Sequence, residues 1–298
     1  MSQELSMNDL STIKKQMKQK QRTLFRKKFF SNKLALTGTV IMSVIILFTI
    51  LTPFIISTSP YTLDTANRLL PPSTEHFFGT DNYGRDLFSR VMYGARVSLV
   101  IGFSVALLTS IFGTIVGLYA AYFKKLDSLL MRTADGLMAF PAILLAIAIM
   151  ASLGANLVNV IIALTIVFTP LVARTIRSSA LIVKEQTYIE VLRAQGANST
   201  RIIWSNIFPN VISPLIVQAT FIFADAIIVE AALSFLGAGI PAPEPSWGNL
   251  LYDGKTVIFN AWWMTVFPGI AIMLTVLGLN LFGDGLRDLL DPHNKSKK

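Results

Sequence analysis

Apolar residues in this chain come in long unbroken runs separated by short polar segments, with none of the alternation of a half-buried strand. Leu34 to Ile56, Val97 to Phe123, Gly136 to Ala173, Ile202 to Leu236 and Thr256 to Gly283 each exceed the roughly 20 residues that cross about 30 Å of hydrocarbon. The third run is long enough for two crossings, with its turn expected at Leu153-Gly154-Ala155-Asn156. The pattern predicts six transmembrane helices in an all-α integral membrane protein. Pro141 opens the third helix and Pro170 interrupts the fourth, so kinks or breaks are expected at both.

Within the second run, small residues recur every fourth position as two stripes: Ser98, Gly102, Ala106 and Ser110, then Thr109, Gly113, Gly117 and Ala121. Small residues let helix backbones approach closely in lipid, so this helix is expected to be deeply packed, within the chain rather than against a partner. Asp225 and Glu230 lie in the fifth run, where a carboxylate is costly unless it meets water or a polar partner. They are read either as groups of a translocation path or as structural hydrogen-bonding groups, and the structural reading is favoured. Trp262 and Trp263 are expected in the headgroup belt at the outer edge of the last helix.

Composition agrees with the pattern: 53% of the 298 residues are hydrophobic and 14% charged, and the mean hydropathy is +0.58, too apolar for a soluble domain of this size. The formal charge of +9 is crowded into particular segments instead of covering a nucleic-acid-binding surface, and no nucleic-acid partner is expected. The basic residues between Lys14 and Lys33, the turn at Lys124-Lys125, the loop carrying Arg174, Arg177, Lys184, Arg193 and Arg201, and Lys297-Lys298 all fall on one side of a six-helix topology. The positive-inside rule makes that side the cytoplasm, with both termini in it. Leu10, Ile13, Met17, Leu24 and Phe25 are spaced so that the tail forms either an amphipathic helix on the bilayer surface or a disordered basic arm. Cysteine is absent, and a cleaved leader is not expected, so the first helix is retained.

The polar stretch Thr187 to Pro209 stands out between apolar neighbours. Thr187 followed by Glu190 has the form of a capping box, Gly196 suits a left-handed residue closing a helix, and Asn198 or Ser199 suits the cap of a second helix running toward Pro209. Spacing alone leaves two readings, a docking hairpin or an ordinary loop joining two spans.

Glu190, Ala194, Gly196 and Pro209 in this arrangement resemble the EAA motif of permease subunits of ABC importers, although Val191 and Leu192 replace its two alanines and Phe208 replaces the leucine before the proline. Pro71-Pro72-Ser73, His76, Phe78-Gly79-Thr80-Asp81, Gly84-Arg85-Asp86, Ser89-Arg90 and Tyr93-Gly94-Ala95-Arg96 are similar to the entry segment of the dipeptide, oligopeptide and nickel permeases, specifically the shorter of their two homologous subunits. Glu230 to Gly237, Pro245-Ser246-Trp247-Gly248 and Gly283 to Asp288 extend the likeness over nearly the whole chain from Asn32. The resemblance implies a type I ABC importer permease fold. Its parts would be a basic N-terminal segment 1–33, a first helix 34–56, an outside connector 57–96, a five-helix core 97–285 with a coupling loop 183–210, and a tail 286–298. Tyr188, Glu190, Ala194, Gly196, Ala197, Arg201 and Pro209 would form the contact with the ATPase, with Glu190 as cap, Ala194 in close packing and Gly196 at the turn. The implied partners are a homologous second permease, two ATPase subunits and an extracytoplasmic substrate-binding protein, in the bacterial cell membrane.

Chemistry on this chain itself is not expected. The nearest approach to a phosphate-cradling loop, Gly248 to Thr256, has one residue too many between its glycines, so ATP and Mg belong to the partner ATPases and no cofactor is assigned here. His76, Asp81 and Asp86 match no metal-site spacing, and no nucleophile with its base stands out. The expected function is ATP-driven import of dipeptides or oligopeptides. Nickel or metal-chelate import and proton-coupled secondary transport, with Asp225 and Glu230 as proton-coupling groups, remain the alternatives.

Overall fold

The computed structural model describes residues 16, 17, 19, 20, 23, 24, 26–55 and 58–290. The expected tail helix lies largely outside these residues, as does segment 291–298. The described residues are helical apart from turns and one isolated bridge between Thr80 and Asp86. Five helices are long and apolar enough to cross a membrane: α1 (Lys33–Ile55), α2 (Leu87–Tyr122), α5 (Leu157–Lys184), α7 (Ser199–Phe235) and α9 (Trp263–Leu290). Between α2 and α5 lie α3 (Lys124–Met138) and α4 (Ala142–Leu153), which meet at 93° and stand, as a broken span or a re-entrant pair, where a single third helix is expected.

The break follows from Pro141. Proline disfavours helical geometry in the residue before it and lacks the N–H to continue a helix, so α3 closes through the Ala139 and Phe140 amides and α4 restarts beyond the proline. With 12 residues, α4 is about 18 Å long, too short to cross alone. The preceding α3 is an amphipathic helix where the sequence reading places a Lys124-Lys125 turn, and Arg177 and Arg174 of α5 pin it through Asp127 and Asp135. Pro170, by contrast, lies inside an unbroken α5.

α2 is the central helix, packed on α5 and α7, while α1 rests on α9 at the edge of the bundle. Both stripes of small residues on α2 face inward. Gly113 and Gly117 meet α5, where a Cβ on Gly117 would stand 2.6 Å from the Ala173 carbonyl oxygen, and Gly102 meets Phe223 and Ile227 of α7. α2 also takes in the last ten residues expected for the connector, 87–96, because the Asp86 carboxylate accepts from the Ser89 amide at 2.8 Å and caps it there.

The connector folds over one end of the bundle together with a short helix, α8 (Trp247–Lys255). Asp81 is fully buried there. Its carboxylate accepts from the Tyr83 and Arg85 amides and from the Arg85 guanidinium at 2.6 Å, and buried Arg90 lies 3.4 Å away. Arg90 donates to the Pro60 carbonyl and, with Arg85, faces Asp253 of α8. Burial outweighs these two arginines and raises the Asp253 carboxyl above its ordinary range. Trp263 is buried, its indole N–H donating to the Thr80 carbonyl. Of the two tryptophans expected in the headgroup belt, only Trp262 is exposed.

Candidate functional site

The stretch from Thr187 forms helix, turn, helix. α6 (Thr187–Ala194) has Gln186 as its cap residue and no side-chain cap bond, so the Thr187–Glu190 capping box does not form. The chain enters α6 one residue earlier than that box requires, which makes Thr187 the first helical residue and leaves Glu190 exposed on the outer face. The exit is a Schellman turn: the Gly196 amide donates to the Arg193 carbonyl and the Ala197 amide to the Leu192 carbonyl, both at 3.0 Å. Gly196 has φ +81°, in the left-handed region that a residue with a Cβ enters only with strain. Asn198 then caps the next helix, its Oδ1 accepting from the Arg201 amide at 2.8 Å.

That second helix does not stop at Pro209. It continues as α7 through the bundle, with a π-helical turn over Ile202–Ile207. Pro209 cannot donate to the Ser205 carbonyl, and the widened turn just before it accommodates the missing bond. Side chains satisfy part of the disturbed ladder: the Asn206 amide donates to the Arg201 carbonyl and the Asn210 amide to the Asn206 carbonyl at 2.7 Å. Tyr188 crosses from α6 to this turn, its hydroxyl donating to the Asn206 carbonyl and accepting from Asn210.

One buried side chain, Ile189, anchors α6, packing with Ile202, Ile203 and Ile207 of α7. Tyr188, Glu190, Val191 and Ala194 are exposed, while Ala197 is half-buried and packs against the core. Arg201 and Pro209 are exposed. The sequence reading missed Lys184, which donates to the Ala121 and Tyr122 carbonyls and so caps the end of α2. Arg193 lies over the Tyr122 ring at 5.2 Å. The hairpin is thereby tied to α2, α5 and α7 together; a lysine in the last turn of α5 was the only sequence signal for it.

The two acids on α7 have separate fates. Glu230 is fully buried and accepts from the Ser98 hydroxyl of α2 at 3.2 Å and the Ser234 hydroxyl at 2.9 Å. Ser98 also accepts from the Trp247 amide, so Glu230 joins α2, α7 and α8. Asp225 is exposed and, among the described residues, has neither an ion pair nor a hydrogen bond. Of the three connector residues considered for a metal, His76 and Asp86 pair with each other at 3.0 Å while Asp81 pairs with Arg85. The segment Gly248 to Thr256 is taken up by α8, a helix in place of a phosphate-cradling loop.

Residues 113–296 match the family model described as the inner membrane component of binding-protein-dependent transport systems. Residues 21–72 match the N-terminal transmembrane domain of oligopeptide transport permease C. A protein of Brucella suis named as a peptide transport system permease is 51% identical over 258 residues, 87% of each chain. A dipeptide transport system permease of Alkalihalophilus pseudofirmus is 48% identical over 271 residues, 91% of this chain and 89% of that one. In fold, the chain is similar to the MetNI methionine ABC transporter in an inward-facing conformation, with a TM-score of 0.58 at 20% identity over 69% of this chain and 98% of the other.

Proposed function

The chain belongs to the family of inner membrane components of binding-protein-dependent transport systems, and from that we propose that it carries peptides, dipeptides or short oligopeptides, across the bacterial plasma membrane. It is a multi-pass permease of an ABC importer, a class that works with ATPase subunits and a substrate-binding protein. ATP and Mg are bound and hydrolysed on two separate ATPase subunits, this chain holds no cofactor, and a homologous second permease completes the path. The hairpin and both termini face the cytoplasm, and the connector faces the binding protein.

The observation that carries this reading is the construction of the hairpin. Its outer face, Tyr188, Glu190, Val191 and Ala194, is exposed, while its inner side is held to α7 by Ile189 and the Tyr188 hydroxyl and to α2 by Arg193 over the Tyr122 ring, beside the Lys184 bond that joins α5 to α2. A push on the outer face is transmitted to α2, α5 and α7 as a rigid displacement, the requirement for rocking a bundle between inward-facing and outward-facing states. The substrate class is supported by the peptide and dipeptide permeases to which the chain is similar.

The test is purification of the complex from its native membrane in mild detergent, identification of every co-purifying polypeptide, and reconstitution for uptake of a labelled dipeptide. Co-purification of an ATPase with a Walker A loop and a second six-helix permease, with uptake that needs both ATP and the binding protein, is the expected result. Uptake of nickel but not of dipeptides by the same vesicles overturns the substrate; uptake by this chain without ATP overturns the mechanism.

A further inference from the structure

The surface of α7 that the rest of the chain leaves uncovered carries both apolar and polar side chains. Ile216, Ile228 and Phe235 are apolar and more than a third exposed, as contact with acyl chains or an apolar partner requires. Pro214, Gln218, Phe221 and Asp225 fall within about 60° of one another around the helix, on a face that Ile228 borders, and carry the polar groups of that face as a stripe. The first three line a groove of about 550 Å³ at the hairpin end of the bundle, whose other walls include Thr175 of α5 and Arg287 of α9. The Thr175 hydroxyl donates to the Gln218 side-chain oxygen at 3.4 Å, so the groove has a polar wall between two helices that cross the membrane. Asp225 continues the stripe about 10 Å farther along α7 than Gln218, well inside the span.

A carboxylate at that depth is not left against acyl chains. The polar stripe leading to it from an open groove is what a water-filled passage needs, since lipid cannot hydrogen-bond the Asp225 carboxylate or the Gln218 side-chain amide. Neither Lys nor Arg of the described residues pairs with Asp225, whereas Glu230, five residues on, has its hydrogen bonds supplied from within the chain. An anionic group set in a passage and left without an internal cation matches a cation that passes through. We propose that Asp225 lines the translocation path near mid-span and takes the protonated amino terminus of the peptide substrate. This rests on the peptide-import reading, and it replaces the structural role favoured for Asp225 from sequence while leaving that role to Glu230.

The test uses the complete transporter in vesicles and has two arms. Because the chain has no cysteine, Gln218→Cys places one thiol on the stripe, and Phe103→Cys, on an apolar exposed part of α2, serves as the control. Cationic and anionic methanethiosulfonate reagents are applied from the hairpin side. The thiol introduced by Gln218→Cys is expected to react while that of Phe103→Cys does not, and Asp225→Asn is expected to lower the ratio of the cationic to the anionic rate, Arg287 in the same groove acting in the opposite sense in both proteins. If the Gln218→Cys thiol stays unreactive in the assembled complex but reacts in the isolated chain, the stripe lies against a partner and the path is overturned. In the second arm, a labelled dipeptide and the same dipeptide lacking its amino group are taken up from saturated binding protein. Asp225→Asn is expected to lower uptake of the first about tenfold, the scale of one lost hydrogen bond to a charged group. Uptake of the second should be unchanged, and Asp225→Glu should restore the difference. Equal dipeptide uptake by wild type and Asp225→Asn overturns the ammonium role, as does loss of assembly in both variants. Wild-type vesicles that hydrolyse ATP but take up no dipeptide overturn the peptide reading alone and leave the labelling result standing.

Discussion

Gly196 and Gly237 each end a helix of this bundle, in the same backbone region and with the same pair of bonds. At the hairpin end, the amides of Gly196 and Ala197 reach the carbonyls of Arg193 and Leu192; at the connector end, those of Gly237 and Ala238 reach Ser234 and Leu233 at 3.0 and 2.9 Å. The surroundings separate the two turns. A Cβ on Gly196 would meet nothing within 4 Å, and the helix before it buries a single side chain. Beside Gly237, Glu230, Ser234, Ser246 and Trp247 are all buried, and Lys255 caps the end of α7 through the Phe235 carbonyl. One turn is a handle held out from the bundle and the other lies within a fixed lid. The local chemistry of a helix end does not decide between them; the polar network packed around it does.

That contrast breaks most completely at Asp81. Removing one partner of a buried ion pair strands the other, at a cost of about 3 to 5 kcal/mol. Asp81→Ala strands Arg85 and Arg90 and is expected to unfold the lid, leaving little monodisperse protein after detergent extraction. An unchanged unfolding temperature would mean that Asp253 alone can hold both arginines. Glu230→Ala comes next. It leaves the Ser98 and Ser234 hydroxyls without their acceptor, at about 1 to 3 kcal/mol, and should lower the unfolding temperature while Glu230→Gln recovers most of it. Gly117→Leu tests the seam between α2 and α5, which transmits motion from one end to the other. The new Cβ would press on a rigid backbone carbonyl, and overpacking of this kind costs about 1 to 3 kcal/mol. A variant as stable as wild type would show that the two helices can separate without cost.

The sequence carried the hairpin end better than the connector end, for a physical reason. Gly196 and Asn198 act on neighbours one to four residues away, so their roles are legible in a short window. The lid is assembled from distant segments: Arg85 with Asp253, Trp263 with Thr80, Ser98 with Glu230 and Trp247. No periodicity announces such pairs, and the burial of Trp263 against Thr80 had no signal for that reason. Hydropathy found the long spans but not the 93° corner between α3 and α4, because a run of apolar residues does not record a bend; Pro141 recorded only that a break occurs. The Thr187–Glu190 capping box failed through a shift of a single residue, with the chain entering the helix at Gln186. The π-turn before Pro209 had no signal beyond the proline itself.

Gly196→Val is the substitution with the smallest expected cost to the folded chain and the sharpest test of the comparison. Forcing a β-branched residue into the left-handed region costs about 1 to 2 kcal/mol, and nothing within 4 Å of the new Cβ adds a clash. The strain is relieved by opening the turn, which breaks the Ala197–Leu192 bond and loosens α6 from Asn198 and the start of α7. Membrane insertion and the unfolding temperature should therefore be nearly those of wild type, because the lid and the α2–α5 seam are untouched, while ATP-driven uptake falls steeply and ATP hydrolysis by the complex continues. The matching change at the other turn, Gly237→Val, brings the same backbone strain with the Tyr252 ring 3.5 Å from the new Cβ, and there the loss should register as stability before transport. If both variants lower the unfolding temperature equally and transport in proportion, the hairpin is simply another part of the packed structure. If Gly196→Val alone separates hydrolysis from uptake, the difference between the two turns is the difference between a handle and a lid.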